Sequence, residues 1–218
     1  MNMKTSPLAN LKDPSLLKTD ALIDGAWVAG RAARFDVTDP ATGLKLVDVA
    51  NLGAAETEMA IAAAERSIDL QAAYFVPDEL IIKALLAARH RKVRVRVVLP
   101  GKHIDSATVR LASKSQWGDL LLGGVEIYEY QPTMMHNKML IVDGEMVSVG
   151  STNFDVRSFR LNDEASLNIY DRAFAARMTA VFEQDLAPTK RYTYEIWQKR
   201  PFKEKFMEKV VLPLKSQL

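Results

Sequence analysis

His136 and Lys138 stand two residues apart in the stretch MMHNKMLIVDGEMVSVGSTNFDVRSF, residues 134–159. The stretch is otherwise apolar and strand-like. An Asp143-Gly144 pair divides it, and a Gly-Ser-Thr-Asn cluster, Gly150 to Asn153, follows. Residues two apart in a strand share a face, so the imidazole and the ammonium project together with Leu140 and Val142. A polar pair on such a face is costly unless it is satisfied or used. Asp-Gly favours a two-residue hairpin turn. The return strand EMVSVGS would then bring Ser151 and Asn153 back towards His136. The resulting group holds an imidazole, an ammonium, a hydroxyl and a carboxamide. Imidazole attacks phosphorus or shuttles protons. Lysine offers charge to phosphoryl oxygens, and Ser and Asn offer oriented hydrogen bonds. The arrangement calls for neither a metal nor a cofactor. A lone histidine on a strand is usually a core or surface residue; the spacing to Asp143 and to the Gly-Ser-x-Asn cluster is what singles this one out. Asp143 shares that spacing and is kept in the candidate set, but strand parity places it off the His/Lys face. Turn chemistry accounts for it, and local hydrogen bonds are expected to let it fix the hairpin.

The surrounding pattern supplies the elements that hold this group. Residues 1–20 are polar, carry Pro7 and Pro14, and read as a loose arm. Short alternating runs around Asp24-Gly25 and Pro40 to Gly43 predict small strands joined by turns. AAETEMAIAAAERSIDL, Ala-rich and acidic at its front, predicts a helix. From residue 68 the strands IDLQAAYF, VRVRVVLP, VEIYEYQ and DEASLNIYD alternate with the helices DELIIKALLAARHRK, SATVRLASKSQWGDLLLGG and RAFAARMTAVFEQDLA. That alternation predicts an α/β sheet with helices packed on it. The division expected is residues 1–66 as an appendage with a linker helix, and 67–218 as the main domain.

Composition narrows the chemistry. Of 218 residues, 48% are hydrophobic and 26% charged, an ordinary globular balance, and none is cysteine. Disulfides, thiolate nucleophiles and Cys-ligated zinc are therefore excluded. Net charge is +2, but residues 1–68 carry −2 and the remainder +4. The excess gathers near the C-terminus, at Lys190, Arg191, Lys199, Arg200, Lys203, Lys205 and Lys209. No run approaches the ~18 apolar residues of a membrane span, and the N-terminus lacks the apolar core of a secretory signal. A cytoplasmic place, or a peripheral one on a bacterial inner membrane, is expected. In WQKRPFKEKFMEKVVLPLKSQL, Phe202, Phe206 and Val210 lie four apart among lysines. That suits a helix lying on an anionic bilayer, or one packed on its own domain and ended by Pro213.

The residues His136, Lys138, Asp143, Gly150, Ser151 and Asn153 match the phospholipase D superfamily signature His-x-Lys-x4-Asp-x6-Gly-Ser-x-Asn. Beyond the motif, AAYFVPDE, RVRVVLPGKHIDS, GVEIYEYQPTMMHNKMLIVDG, VSVGSTNFDVRSFRLNDEASLNIYD and YEIWQKRPF resemble the C-terminal half of bacterial cardiolipin synthases, over about residues 68–218. The resemblance implies half of an α-β-α sandwich, with a mixed sheet flanked by helices. It implies His136 as the nucleophile of a phosphohistidine intermediate, or as its acid/base counterpart. Lys138 and Asn153 would hold phosphate oxygens, Ser151 would hydrogen-bond nearby, and Glu164 would orient a histidine ring. Phosphatidyl transfer from a phospholipid such as phosphatidylglycerol would go to water or to a lipid alcohol. Asn137, where many relatives carry a small or apolar residue, points off the reactive face.

That family builds one site from two such motifs, and this chain carries one. His90 ends a basic helix and His103 lies in GKHIDS; neither begins a second motif. A full site would need a homodimer with two copies of His136 facing each other. The face that a first half would cover is expected to be apolar. Two other readings stand beside the transferase: a homodimeric nuclease, against which the lipid-type flanks and near-neutral charge argue, so that nucleic acid is not expected as a partner; and an inactive fragment. Residues 16–65 resemble the N-terminal fringe of succinate-semialdehyde-type aldehyde dehydrogenases. The body of that enzyme and its cysteine are missing, so aldehyde oxidation is dismissed and the segment reads as a spliced remnant.

Overall fold

The computed structural model describes residues 12, 19–23, 26–29, 34–38, 43–49, 59, 61–155, 158 and 166–211. The chain divides into two units, Met1–Thr57 and Glu58–Leu218. In the first, strands β1 (Ala21–Ile23) and β2 (Ala26–Val28) form one antiparallel pair. Strands β3 (Phe35–Thr38) and β4 (Lys45–Val49) form another. The Arg34 guanidinium donates to the Asp20 carboxylate and to the carbonyls of Thr19 and Asp48, which ties the two hairpins of this unit together.

The second unit begins before residue 67. Ile61 and Ala64 are buried in its core, so the boundary falls at Thr57/Glu58 rather than at 66/67. Its strands are β5 (Ser67–Ala72), β6 (Phe75–Val76), β7 (Arg94–Pro100), β8 (Glu126–Tyr130), β9 (Lys138–Val142), β10 (Met146–Gly150), β11 (Phe154–Asp155), β12 (Ser166–Tyr170) and β13 (Thr189–Tyr192). Seven of them form one mixed sheet in the order β12-β10-β9-β5-β7-β8-β13. β5, β7 and β8 run parallel; β9, β10, β12 and β13 each pair antiparallel with a neighbour. β6 and β11 make a small parallel pair of their own.

Helices cover both faces, which strand parity makes possible. Leu140 and Val142 join Ile68, Leu70, Val95 and Val97 in one layer, against helices α1 (Glu79–His90) and α3 (Trp117–Leu122). Met139 and Ile141 point the other way, with Val98 and Val147, against helix α4 (Arg172–Leu186). Parallel strands buried on both faces read as near-continuous apolar runs, and β5 and β7 do so after their first residues, Ser67 and Arg94, except at Asp69, Gln71 and Arg96. These three are buried on the α4 side. Arg96 grips Asp69 with Nε and Nη2 at 2.7 and 2.8 Å and reaches Glu183 of α4 at 2.7 Å. Its guanidinium lies 4.7 Å over the Phe182 ring. A two-pronged geometry with every partner supplied is what makes such burial tolerable.

Asp78 caps α1, accepting from the amides of Leu80 and Ile81. The segment expected as one helix over SATVRLASKSQWGDLLLGG is two: α2 (Ala107–Ser115) and α3, broken at Gln116. The break turns the Trp117 indole into the core, where Nε1 donates to Ser113 Oγ and the ring meets Tyr192 edge-on at 4.9 Å. The chain then forms α5 (Tyr194–Gln198) and α6 (Phe202–Val211). α6 is fastened by ions: Glu204 to Lys114 at 2.9 Å, and Glu208 to Arg200 at 2.6 Å. Its outward stripe is apolar, with Phe202 82% exposed, and Phe206 and Val210 more than half exposed. Pro213 lies outside the described residues. On the edge strand β12, Leu167 and Tyr170 are also exposed.

Candidate active site

The parallel strands β5, β7 and β8 end on one side of the sheet. β9 runs against them, so its first residue, Lys138, lies at that same side, opposite Ala72. β10 returns Gly150 there, and β12 begins there with Ser166 opposite Gly150. The carboxyl ends of parallel strands are where open α/β sheets bind ligands. The chemistry-bearing residues therefore collect where the topology favours a site.

His136 and Lys138 do project together. Lys138 Nζ lies 3.0 Å from His136 Nδ1 and 3.3 Å from Nε2, and also donates to the His136 carbonyl at 3.2 Å. The imidazole is exposed and the lysine half-buried. β9 starts at Lys138, so His136 sits on the irregular segment just before the strand rather than within it. Ser151 is exposed at the end of β10, and Asn153 follows half-buried, with Oδ1 enclosed and unpartnered among the described residues. Glu164 falls outside the described residues; Ser166, two positions on, shares a hydrogen bond with Thr152 at 3.0 Å.

Asp143 is at the opposite end of β9. It has a φ of 56° and Gly144 one of 66°, and the Glu145 amide donates to the Val142 carbonyl at 3.0 Å. Both central residues thus adopt the positive φ of a type I′ turn. Strand pairing resumes at Met146↔Val142, so the connection spans three residues rather than two. The Asp143 carboxylate does not bond locally, as the sequence suggested. It accepts from three consecutive amides, Glu65 at 2.9 Å and Arg66 and Ser67 at 2.7 Å, some 76–78 residues away in sequence. The structure therefore separates Asp143 from His136 and Lys138 by the length of the strand.

Two features escaped the sequence. Tyr74, between β5 and β6, presents its ring to His136 nearly perpendicular, with centroids 6.1 Å apart. Its hydroxyl donates to Asp105 at 2.7 Å, and its carbonyl accepts from the Phe154 amide. Burial first, and then Asp105, push the Tyr74 phenol up to about 12. The signal available was position alone, a tyrosine at a strand's carboxyl end. The second is Asn137, whose side-chain amide donates to Gln71, which in turn donates to Asp185 of α4 at 3.0 Å. Among the described residues no cluster of His, Asp and Glu is arranged to hold a metal ion.

Comparison with known proteins places the chain near one group. A family model described as cardiolipin synthase, PLD-like domain, matches residues 58–186. Cardiolipin synthase 1 of Staphylococcus epidermidis is 41% identical over 157 residues, which are 71% of this chain and 32% of that protein. The chain spans about a third of the length of the curated relatives it matches. Among solved structures, the phospholipase D family member Nuc from Salmonella typhimurium aligns with a TM-score of 0.57 and 25% identity, covering 64% of this chain and 90% of that one. Phosphatidylserine synthase of Haemophilus influenzae aligns with a TM-score of 0.61 at 17% identity, covering 82% of this chain and 52% of that one, a likeness of fold.

Proposed function

Because the chain belongs to the phospholipase D-like family of the cardiolipin synthase domain, we propose that it is a phosphatidyltransferase or phosphodiesterase acting through a phosphohistidine. The observation that carries this reading is the exposed His136 ring with the Lys138 ammonium 3.0 Å from its Nδ1, at the ligand-binding side of the sheet. A ring nitrogen of His136 attacks the phosphorus of a phospholipid. The P–N bond forms as the bond to the departing alcohol oxygen breaks, and a second imidazole gives that oxygen its proton. The second imidazole then takes a proton from water or a lipid alcohol, whose oxygen attacks phosphorus and releases His136. Lys138 and Asn153 balance the charge on the phosphoryl oxygens, Ser151 adds a hydrogen bond, and Glu164 orients a ring. Asp143 serves the site by fixing the strand that carries it.

One chain offers one imidazole of this kind, so the second comes from the His136 of another copy, and the active species is a homodimer. The substrate is a phospholipid such as phosphatidylglycerol. We assign α6 to the bilayer surface: Phe202, Phe206 and Val210 face outward beside Lys203 and Lys205, while Glu204 and Glu208 hold the other side to the domain. No described helix is long and apolar enough to cross a membrane, and peripheral attachment fits that surface. The reading of residues 16–65 as a joined piece rests on their sequence resemblance; the separate unit Met1–Thr57 is compatible with it.

The purified protein, beside His136→Ala, should be assayed against phosphatidylglycerol and against plasmid DNA, with the native mass taken by light scattering. Lipid turnover by a dimer, lost in the variant, supports the proposal. Cleavage of DNA alone would replace it with a nuclease, and a dimer inert on both substrates would leave a fragment without catalysis.

A further inference from the structure

Tyr74 is held from three directions. Its hydroxyl donates to Asp105, in the loop after β7, at 2.7 Å. Its carbonyl accepts from Phe154, directly after Asn153. Its ring meets His136 at 87° with 6.1 Å between centroids. Apart from this contact and the flexible Lys138 ammonium at 3.0 Å, the imidazole is exposed, on a segment without regular structure, where a side chain exchanges rotamers within nanoseconds. An attacking nitrogen that wanders loses much of the rate that orientation supplies. The phenol is poorly suited to proton transfer itself: burial and the neighbouring carboxylate push it up to about 12, and its proton is engaged with Asp105.

We propose that Tyr74, tethered by Asp105, is a positioning residue that holds the His136 ring in its reacting orientation; this rests on the reading of His136 as the reacting group. Tyr74→Leu removes the ring contact. Turnover (kcat) should fall by about 10- to 100-fold with KM little changed, as for a misplaced reacting group. Tyr74→Phe and Asp105→Asn keep the shape and weaken the same tether, so they should lower kcat by a like factor. Their combination should do no worse than either alone.

A readout free of activity comes from the chain's three histidines. The His136 ring protons, assigned with His136→Ala, lie in the ring-current field of the Tyr74 ring. Their NMR resonances should move towards free-imidazole positions in Tyr74→Leu, and broaden or move in Tyr74→Phe and Asp105→Asn. Unchanged His136 resonances in all three variants would overturn the proposal. So would an equal loss of kcat in Tyr74→Phe and Tyr74→Leu that tracks loss of folded protein by circular dichroism. Because the NMR test needs no substrate, an inactive wild type would refute the enzymatic reading and leave this one decidable.

Discussion

The side chain of Asn137, the residue between His136 and Lys138, donates to the side-chain oxygen of Gln71, a fully buried residue of β5. Gln71 passes the connection to Asp185 on α4. The back of the segment that carries His136 is thereby moored to the opposite helical layer.

Gln71→Leu would fill the space but leave the Asn137 amide and the Asp185 carboxylate without their partner. Stranding a buried polar group costs about 1–3 kcal/mol, and because Asn137 and Asp185 are half-buried the loss should fall towards the low end. Urea unfolding should show a lower midpoint with an unchanged slope. Asn137→Ala, which leaves the Gln71–Asp185 bond in place, should cost less.

Asp143→Ala should cost about 2–3 kcal/mol, since a carboxylate bonded to backbone amides contributes more than a neutral acceptor and a positive φ disfavours alanine. Asp143→Asn should cost less: it tolerates the left-handed conformation and keeps one acceptor oxygen. Thermal melts would measure both. Any loss of activity at a temperature where Asp143→Asn is fully folded should be small, because this carboxylate faces Glu65, Arg66 and Ser67 rather than the imidazole.

Alkali should weaken the fold. Burial foremost pushes Tyr74, Tyr128 and Tyr192 up to about 12, with Asp105 and Glu126 adding to the first two through hydrogen bonds. Unfolded phenols ionise near 10. Below pH 10 both states keep their protons and stability is unaffected. Between pH 10 and 12 the unfolded chain releases protons that the folded chain retains, so stability falls across that window. Urea midpoints at successive pH values, beside tyrosinate absorbance, would trace it.

Phe202→Ser with Phe206→Ser should weaken cosedimentation with phosphatidylglycerol-containing vesicles by about tenfold or more, given 1.5–3 kcal/mol for each fully buried aromatic side chain. Both side chains face outward, so the melting temperature should hold. Equal binding by variant and wild type would move the membrane contact elsewhere.

The Asp-Gly pair was enough to foresee the hairpin, because turn chemistry is a local property, although the link is one residue longer than expected. Strand parity does not account for the meeting of His136 and Lys138, since the strand begins only at Lys138 and its ammonium reaches back to the ring. Tertiary partnerships were not legible. Nothing in the alternation VRVRVV announces that Arg96 is buried; its burial depends on Asp69 and on Glu183, 87 residues later. Tyr74 meets His136 only because β5 and β9 are neighbours in the sheet. The role of Asp143 was misjudged in range rather than in kind: the carboxylate fixes backbone, but across the fold. The break at Gln116 has no proline to announce it, only Gly118 two residues on, and it accompanies the burial of the Trp117 ring in the core.

The His136–Lys138 pair and the Asp143 anchor sit at the two ends of β9, so the strand acts as a ruler between them. Inserting or deleting one residue from Met139 to Val142 would exchange the two layers of the sheet for every side chain beyond it. Either the carboxylate would leave its three amides or the Lys138 side chain would swing to the α4 side. Such a chain tolerates a changed letter in this segment far better than a changed count.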